Sequence, residues 1–236
     1  MNPDMTLAAA VVENPNVRPV FDALGLDYCC GGQQRVGLAV AQAGLSMADV
    51  EAAVAEASVR PAPQTYENLE APELIDYVIE THHRYLQSEL PPLVELANKV
   101  WTVHGENHPE LRRVAQLTRA LHDDLIPHMA KEERVLFPSI LRVVSADEPV
   151  QLPFGSLQNP ITMMNAEHEL TGELLADIRN VANQFAPPAD ACGSYTALYE
   201  RLDRVTADTH LHVHIENNVL FPMAVAAEAA AAHVAG

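Results

Sequence analysis

Hydrophobic residues in the C-terminal two thirds of the chain recur every three or four positions, which is the period of a helix with one buried face. Proline, glycine, aspartate and serine are concentrated in 145–159 and 187–193, where that period stops. Four long helices with short connections indicate an antiparallel four-helix bundle. The predicted helices run from Pro72 to about His104, from about Glu110 to Val144, from about Ile161 to Phe185, and from Ser194 to about Ala231.

Prolines interrupt the helical pattern at two places. An interior proline removes a backbone hydrogen bond and clashes with the preceding turn, so we expect Pro91-Pro92 to kink or break the first helix. The segment Arg60-Pro61-Ala62-Pro63-Gln64 indicates a linker between two domains. We therefore assign a small domain to 1–57, a linker to 58–70, the bundle to 71–228 and a frayed, alanine-rich tail to 229–236.

The N-terminal 57 residues predict a compact unit of short helices. Two segments have helical composition, Asn16–Leu24 and Val36–Ala43, and Ser46 is a suitable N-cap for a third helix. Between the first two lies Asp27-Tyr28-Cys29-Cys30-Gly31-Gly32, which is rich in turn-forming residues. The predicted fold class is therefore all-α: a four-helix bundle preceded by a small helical domain.

Charge and composition exclude several functions. The net charge is 14 − 32 = −18, with no block of consecutive basic residues, so such a surface repels phosphate backbones and anionic lipids. We therefore expect neither nucleic-acid nor membrane binding, and no segment approaches the roughly 20 apolar residues that span a bilayer. Three cysteines, two of them adjacent, do not form a secreted disulfide framework, and we expect a cytoplasmic protein.

Each predicted bundle helix places one histidine on its apolar face, and two helices add a glutamate one turn later. Burying unpaired carboxylates in the core of a bundle costs several kcal/mol each, at least. A pair of metal ions removes that cost, because imidazoles supply neutral nitrogen ligands and each carboxylate can bridge two cations. The candidate ligands are His83, His128, Glu132, His168, His212 and Glu216.

These six side chains divide naturally between two ions. Each ion would receive two histidines and one oxygen from each bridging glutamate, and an oxo or hydroxo bridge would make five ligands. One position per ion then stays open, which indicates binding or chemistry rather than a purely structural site. Nitrogen and oxygen ligands without sulfur suit iron, manganese or zinc, and the spacing alone does not choose among them.

Other polar residues lie close to these positions along the chain. His82 is the alternative to His83 if the helical register differs by one residue. The helical period turns His210 and His214 away from the apolar face, and we expect both at the surface. Glu133 and Glu167 adjoin candidate ligands, and each is either a hydrogen-bond partner of a ligand or a surface residue.

The cysteine pair Cys29-Cys30 precedes two glycines and a helix expected to begin near Gln34. A helix N-terminus lowers the pKa of a thiol, and the glycines are expected to leave both sulfurs accessible. These conditions favour redox chemistry, metal transfer or docking to a client cluster. The alternative is a tight structural turn with incidental thiols. Cys192, in the loop before the fourth helix, is interpreted as incidental.

At these residues the sequence resembles the repair-of-iron-centres (RIC) di-iron proteins of the hemerythrin-like group. The resemblance covers almost the whole chain in the family's two-domain order, and it rests on four stretches. They are Asp27-Tyr28-Cys29-Cys30-Gly31-Gly32, His128 to Pro138 (His-Met-Ala-Lys-Glu-Glu-Arg-Val-Leu-Phe-Pro), Glu167 to Glu173 (Glu-His-Glu-Leu-Thr-Gly-Glu), and His212 to Pro222 (His-Val-His-Ile-Glu-Asn-Asn-Val-Leu-Phe-Pro).

The resemblance implies a hemerythrin-like bundle in which the six candidate residues bind two iron ions, bridged by oxo or hydroxo. It also implies repair of iron–sulfur clusters damaged by nitric oxide or oxidants, by supplying iron, with damaged iron–sulfur proteins as partners. Two alternatives need the same ligands: binding or sensing of nitric oxide or dioxygen, and reduction of nitric oxide. We expect a monomer or a homodimer, and we assign Cys29 and Cys30 as redox or transfer thiols.

Overall fold

The computed structural model describes residues 1–57, 66, 68–146 and 148–234, and this part of the chain is all-α, without a β-strand. Within it, no single helix is both long and apolar enough to cross a membrane. Only one bent pair of helices, Val36–Gln42 with Met47–Ala57, passes such a test by combined length and composition, and its members differ in direction by 110°.

Four short helices and one 3₁₀ turn form the N-terminal unit. Ser46 caps the last of these helices as predicted, because its Oγ accepts the Asp49 N–H at 3.1 Å. The first helix was not predicted, and Thr6 caps it by accepting the Ala9 N–H at 3.1 Å. The elements are α1 Leu7–Glu13, a 3₁₀ turn Pro15–Val17, α2 Arg18–Leu24, α3 Val36–Gln42 and α4 Met47–Ala57.

Four long rods form the bundle, and three of them contain a five-residue π-helical segment. The first is α5 Ala71–Val78, the π segment Ile79–His83 and α6 Arg84–His104; the second is α7 Leu111–Lys131, the π segment Glu132–Leu136 and α8 Phe137–Val144; the third is α9 Gln158–Val181, followed by a 3₁₀ turn Asn183–Phe185; the fourth is α10 Gly193–Ile215, the π segment Glu216–Leu220 and α11 Phe221–Val234.

The predicted linker 58–70 lies mostly outside the described residues, as do the last two residues of the predicted tail. The division of the chain at 57 and 71 therefore stays a prediction. The described part of the tail is helical, since α11 continues to Val234.

Of the two outcomes expected at Pro91-Pro92, the break is wrong, because α6 runs through both prolines, and the kink stays a prediction. Leu90, Leu93 and Val94 beside them are fully buried, so packing against the other rods stabilises the helix against the local cost of proline. The rods depart from α geometry elsewhere, at the π segments. There the backbone hydrogen bond spans five residues, as from the Phe137 N–H to the Glu132 carbonyl.

Two apolar layers fill the bundle and leave a polar layer between them. One layer is built from α6, α7, the later half of α9 and the first half of α10, and includes Leu86, Leu121 and Leu202. The other is built around α5, α8 and α11, and includes Ile75 and Phe221. All six candidate ligands lie along the rods between these layers.

The turn after the cysteine pair packs directly on the fourth rod. The Asn218 amide donates to the Cys29 carbonyl at 3.0 Å, and Gln33 donates to the Asn218 Oδ1 at 3.2 Å. A Cβ at Gly32 would lie 2.6 Å from the Asn218 Oδ1 and 2.7 Å from the Tyr28 carbonyl oxygen. Only glycine therefore permits this approach of the N-terminal unit to the bundle.

We predict that Gly32→Ala lowers the free energy of unfolding by about 1–3 kcal/mol, because overpacking forces the turn away from Asn218. Chemical denaturation of the purified variant measures this. The matched control is Gly193→Ala, where no heavy atom lies within 4 Å of the added Cβ. Equal stability of Gly32→Ala and the parent protein would contradict this packing.

Candidate metal centre

The six candidate ligands converge in the polar layer, and each is at most 1% exposed. Their imidazole Nε2 atoms meet in two pairs: His83 with His212 at 3.1 Å, and His128 with His168 at 2.9 Å. Two nitrogens at right angles on one metal ion, each about 2.1 Å from it, lie about 3.0 Å apart. Both pairs therefore have the spacing of two ligands of one ion.

Each carboxylate faces both histidine pairs. Glu132 directs Oε1 to His128 at 3.2 Å and Oε2 to His83 at 3.5 Å. Glu216 directs Oε1 to His212 at 3.0 Å and Oε2 to His168 at 3.2 Å. The side chains form two overlapping clusters that share the two glutamates, which is the arrangement of two bridging carboxylates.

The hydrogen bonds of two histidines direct their Nε2 atoms into the cluster. His128 Nδ1 lies 2.8 Å from the Glu167 carboxylate, and His168 Nδ1 lies 2.7 Å from the Asn217 amide oxygen. Since both partners only accept, each Nδ1 carries a proton and each Nε2 faces the other, 2.9 Å away. Burial lowers the pKa of His128, but the charge of Glu132 outweighs it and raises this pKa to about 10, so a proton or a metal ion occupies the space between the two Nε2 atoms.

The charges within the cluster also favour a bound cation. Burial opposes ionisation of Glu216, but His212 and His168 outweigh it and hold the pKa of this carboxyl well below its usual range. Among the described residues, Glu216 Oε2 and both oxygens of Glu132 accept no hydrogen bond, although all three are buried. Such anionic oxygens are the ligands that a divalent ion would satisfy.

The motif His-x-x-x-Glu-x-x-x-Leu-Phe-Pro occurs twice. Each copy contacts one histidine of a neighbouring rod. In the second rod, Glu133 accepts from His83 Nδ1 at 3.0 Å, and the Phe137 ring stacks on His83 with centroids 5.6 Å apart. Glu133 and Glu167 are thus hydrogen-bond partners of candidate ligands, the first of the two alternatives considered for them.

The fourth rod repeats this arrangement with two residues that sequence reasoning missed. Asn217 accepts from His168, and the Phe221 ring lies parallel to His168 at 6.2 Å. Aligning the two motifs shows that they occupy the positions of Glu133 and Phe137, but the sequence does not show which histidine they contact.

The expectation that His214 lies at the surface is wrong. Its side chain is fully buried, and its Nδ1 donates to the Tyr28 carbonyl at 3.1 Å, because the N-terminal unit covers this face of the fourth rod. His210 is only partly exposed and contacts Asp22 at 2.8 Å. The helical period places both residues outside the metal cluster as predicted, but it carries no information about a second domain packed on the same face.

His82 does not take the place of His83, yet it is also buried. Its ring lies parallel to His212, with an interplanar angle of 6° and centroids 5.7 Å apart, and its Nδ1 contacts Asp208 at 2.9 Å. His212 is the one histidine of the cluster whose Nδ1 has no hydrogen-bond partner among the described residues. The stacked His82 therefore restrains this ring where a hydrogen bond restrains the other three.

The cysteine pair differs from its prediction in two respects, the accessibility of Cys29 and the direction of its pKa shift. Cys29 is buried, and its hydrogen bond with Cys30, its burial and the charge of Asp27 raise the pKa of this thiol well above its usual range. The expected lowering fails because α3 begins only at Val36, so no helix N-terminus faces the sulfur. Cys30 is partly exposed, and its thiol donates to the His168 carbonyl at 3.4 Å, directly behind the polar layer.

Comparison with known proteins agrees with this architecture. Residues 74–224 match the model of the hemerythrin HHE cation binding domain, and residues 3–58 match a domain of unknown function, DUF542. The chain is 33% identical over 225 residues to the iron-sulfur cluster repair protein YtfE of Enterobacter sp. (strain 638), covering 95% of this chain and 98% of that protein. The chain belongs to the YtfE family.

Other YtfE proteins are similar to the same extent. Those of Citrobacter koseri and Escherichia coli are 32% identical over 225 residues, with the same coverage of both chains. The predicted resemblance to the repair-of-iron-centres family is thereby confirmed, as is the hemerythrin-like fold. Membership in this YtfE family implies iron binding, and the two overlapping clusters fit a di-iron site.

We predict that His82→Ala weakens metal binding at His212 by about tenfold or more, because residues that orient metal ligands typically contribute that much. His82→Phe retains a flat ring against His212 and is expected to lose less. Release of metal from the loaded protein to a chelator measures the effect. If His82→Ala releases both ions at the parent rate, the stacking does not position His212.

Proposed function

We propose that the six converging side chains bind two iron ions. One ion is assigned to His83 and His212, the other to His128 and His168, and the two glutamates contribute one oxygen to each. The observation that carries this assignment is the pair of inward-facing Nε2 atoms 2.9 Å apart beside buried carboxylate oxygens that accept no hydrogen bond. Iron rather than zinc or manganese is supported by membership in the hemerythrin family.

The surrounding residues orient and protect this centre. Glu133, Glu167 and Asn217 accept the Nδ1 protons of three ligand histidines and so direct each Nε2 toward an ion. The two apolar layers exclude bulk water on either side of the polar layer. Iron bridged by oxo or hydroxo at this centre would supply, once reduced, the metal needed to rebuild a damaged cluster.

The function best supported is repair of iron–sulfur clusters damaged by nitric oxide or oxidants, with iron as cargo and damaged iron–sulfur proteins as partners. The relatives whose sequences align with this chain over 98% of their own length carry the name iron-sulfur cluster repair protein. Three free thiols fit a reducing compartment, so we assign this activity to the cytoplasm.

A second candidate is binding, sensing or reduction of nitric oxide or dioxygen at the same centre. The observation in its favour is the donor count, since each cluster contains two histidines and two shared glutamates. Four protein donors and one bridge leave a sixth octahedral position for a small ligand.

We predict that Glu132→Ala reduces bound iron below two ions per chain and abolishes the near-ultraviolet and visible absorption of an oxo-bridged pair. Glu132 contributes an oxygen to both assigned ions, so its loss affects both. Metal analysis and the absorption spectrum measure this. The matched control is His122→Ala in the same rod, whose ring contacts Asp123 outside the cluster and which should retain two ions. Two ions in Glu132→Ala would contradict the assignment.

We also predict that iron-loaded protein reactivates a nitric-oxide-damaged iron–sulfur enzyme faster than free ferrous iron at equal concentration. Glu132→Ala should give no acceleration, while His122→Ala should match the parent protein. Recovery of enzyme activity with time measures the effect. Recovery no faster than with free iron would contradict the repair function. Multiple turnovers of nitric oxide by the reduced protein, with no repair, would establish the second candidate instead.

A further inference from the structure

A cleft of about 430 Å³ lies between the N-terminal unit and the third and fourth rods. Cys29 and Cys30 line it, together with apolar side chains from both sides, among them Phe21 and Leu175. Clefts between domains are common binding sites, and a ligand of this cleft would have to suit its two adjacent thiols.

The sulfur atoms have the spacing of two ligands of one metal ion. Cys29 Sγ and Cys30 Sγ are 3.8 Å apart. Two sulfurs at about 2.3 Å from a tetrahedrally coordinated ion are about 3.8 Å apart. The carboxylate of Asp27 adds an oxygen 3.1 Å from Cys29 Sγ, and all three donor atoms lie within 4.8 Å of one another.

Charge around the thiols favours a cation. Asp22, Glu169 and Glu173 line the same cleft as Asp27, and Arg179 is the one basic residue other than histidine among its described lining. The hydrogen bond with Cys30, burial and the charge of Asp27 together raise the pKa of the Cys29 thiol. A divalent ion at the two sulfurs would supply the positive charge that this group of acids lacks.

The cleft also adjoins the metal centre. Cys30 Sγ is 3.4 Å from the carbonyl oxygen of His168, whose ring is an assigned iron ligand. Gly172 lies one turn further along α9, and a Cβ there would be in ordinary van der Waals contact with this sulfur, at 3.6 Å. The thiols are thus the first soft ligands that an ion leaving the His128–His168 side of the centre would meet.

We propose that Cys29, Cys30 and Asp27 form a third metal site, which binds one divalent ion through two thiolates and a carboxylate. Binding releases the two thiol protons to solvent and involves no change of oxidation state. The site also has a role in iron transfer, and this role rests on the proposed function. Iron that passes from the di-iron centre to a damaged cluster is held at this site on its way out.

Cobalt(II) tests the site itself, because thiolate ligation gives it an intense near-ultraviolet charge-transfer absorption. Iron-loaded, full-length protein is titrated with cobalt(II). One equivalent with this absorption is expected, and it should be lost in Cys30→Ser, with the iron spectrum unchanged as evidence that the centre is intact. The matched control is Cys192→Ser, an exposed cysteine outside the cleft, which should behave as the parent protein. Absence of the band, or its persistence in Cys29→Ser/Cys30→Ser, overturns the site.

The role in transfer has its own measurement. Iron-loaded Cys30→Ser is expected to reactivate a damaged iron–sulfur enzyme several-fold more slowly than the parent protein at equal iron content. Equal rates overturn the transfer role and leave the repair function standing. Failure of the parent protein to reactivate the enzyme overturns the repair function and with it the transfer role, whereas the cobalt titration still decides whether the third site exists.

Discussion

The structure depends on one constraint: two carboxylates and four imidazoles occupy the interior of a helical bundle without enough hydrogen-bond donors to satisfy them. Cations that complete this layer would offset the cost of burying it. The apolar layers on both sides hold the rods together while the polar layer holds the ligands. Stability of the bundle and occupancy of its centre are therefore linked, since an ion that binds only the folded chain also stabilises it.

Helical phase was sufficient to predict the bundle and the six converging side chains. Each rod has one histidine on its apolar face, as His168 in the third, and the cost of burying such polar groups indicates a metal site. The comparisons then identify the family, and they agree with the order of the two domains along the chain. Roles that depend on neighbours along the same helix could thus be predicted from the sequence.

Contacts between separate helices could not be predicted from the sequence. Asn217 could be assigned to His168 only once the third and fourth rods were placed side by side. His214 follows a surface pattern along its helix, but the N-terminal unit buries it. The prolines of α6 show the converse, since a strong local signal for a break was overridden by packing. Local preference decides an element only where tertiary contacts do not compete with it.

The π segments at Glu132–Leu136 and Glu216–Leu220 have a consequence for how such a site can change during evolution. Each holds one residue more per hydrogen-bonded turn than an α-helix, so it is equivalent to a single-codon insertion. Deleting one residue there would restore α geometry, in which four residues complete about one turn, and would keep Phe137 or Phe221 facing the histidine it stacks on. Homologous genes can therefore lose this one codon without turning the aromatic ring away, whereas further changes in length between the glutamate and the Leu-Phe-Pro of each motif would rotate the rest of the rod.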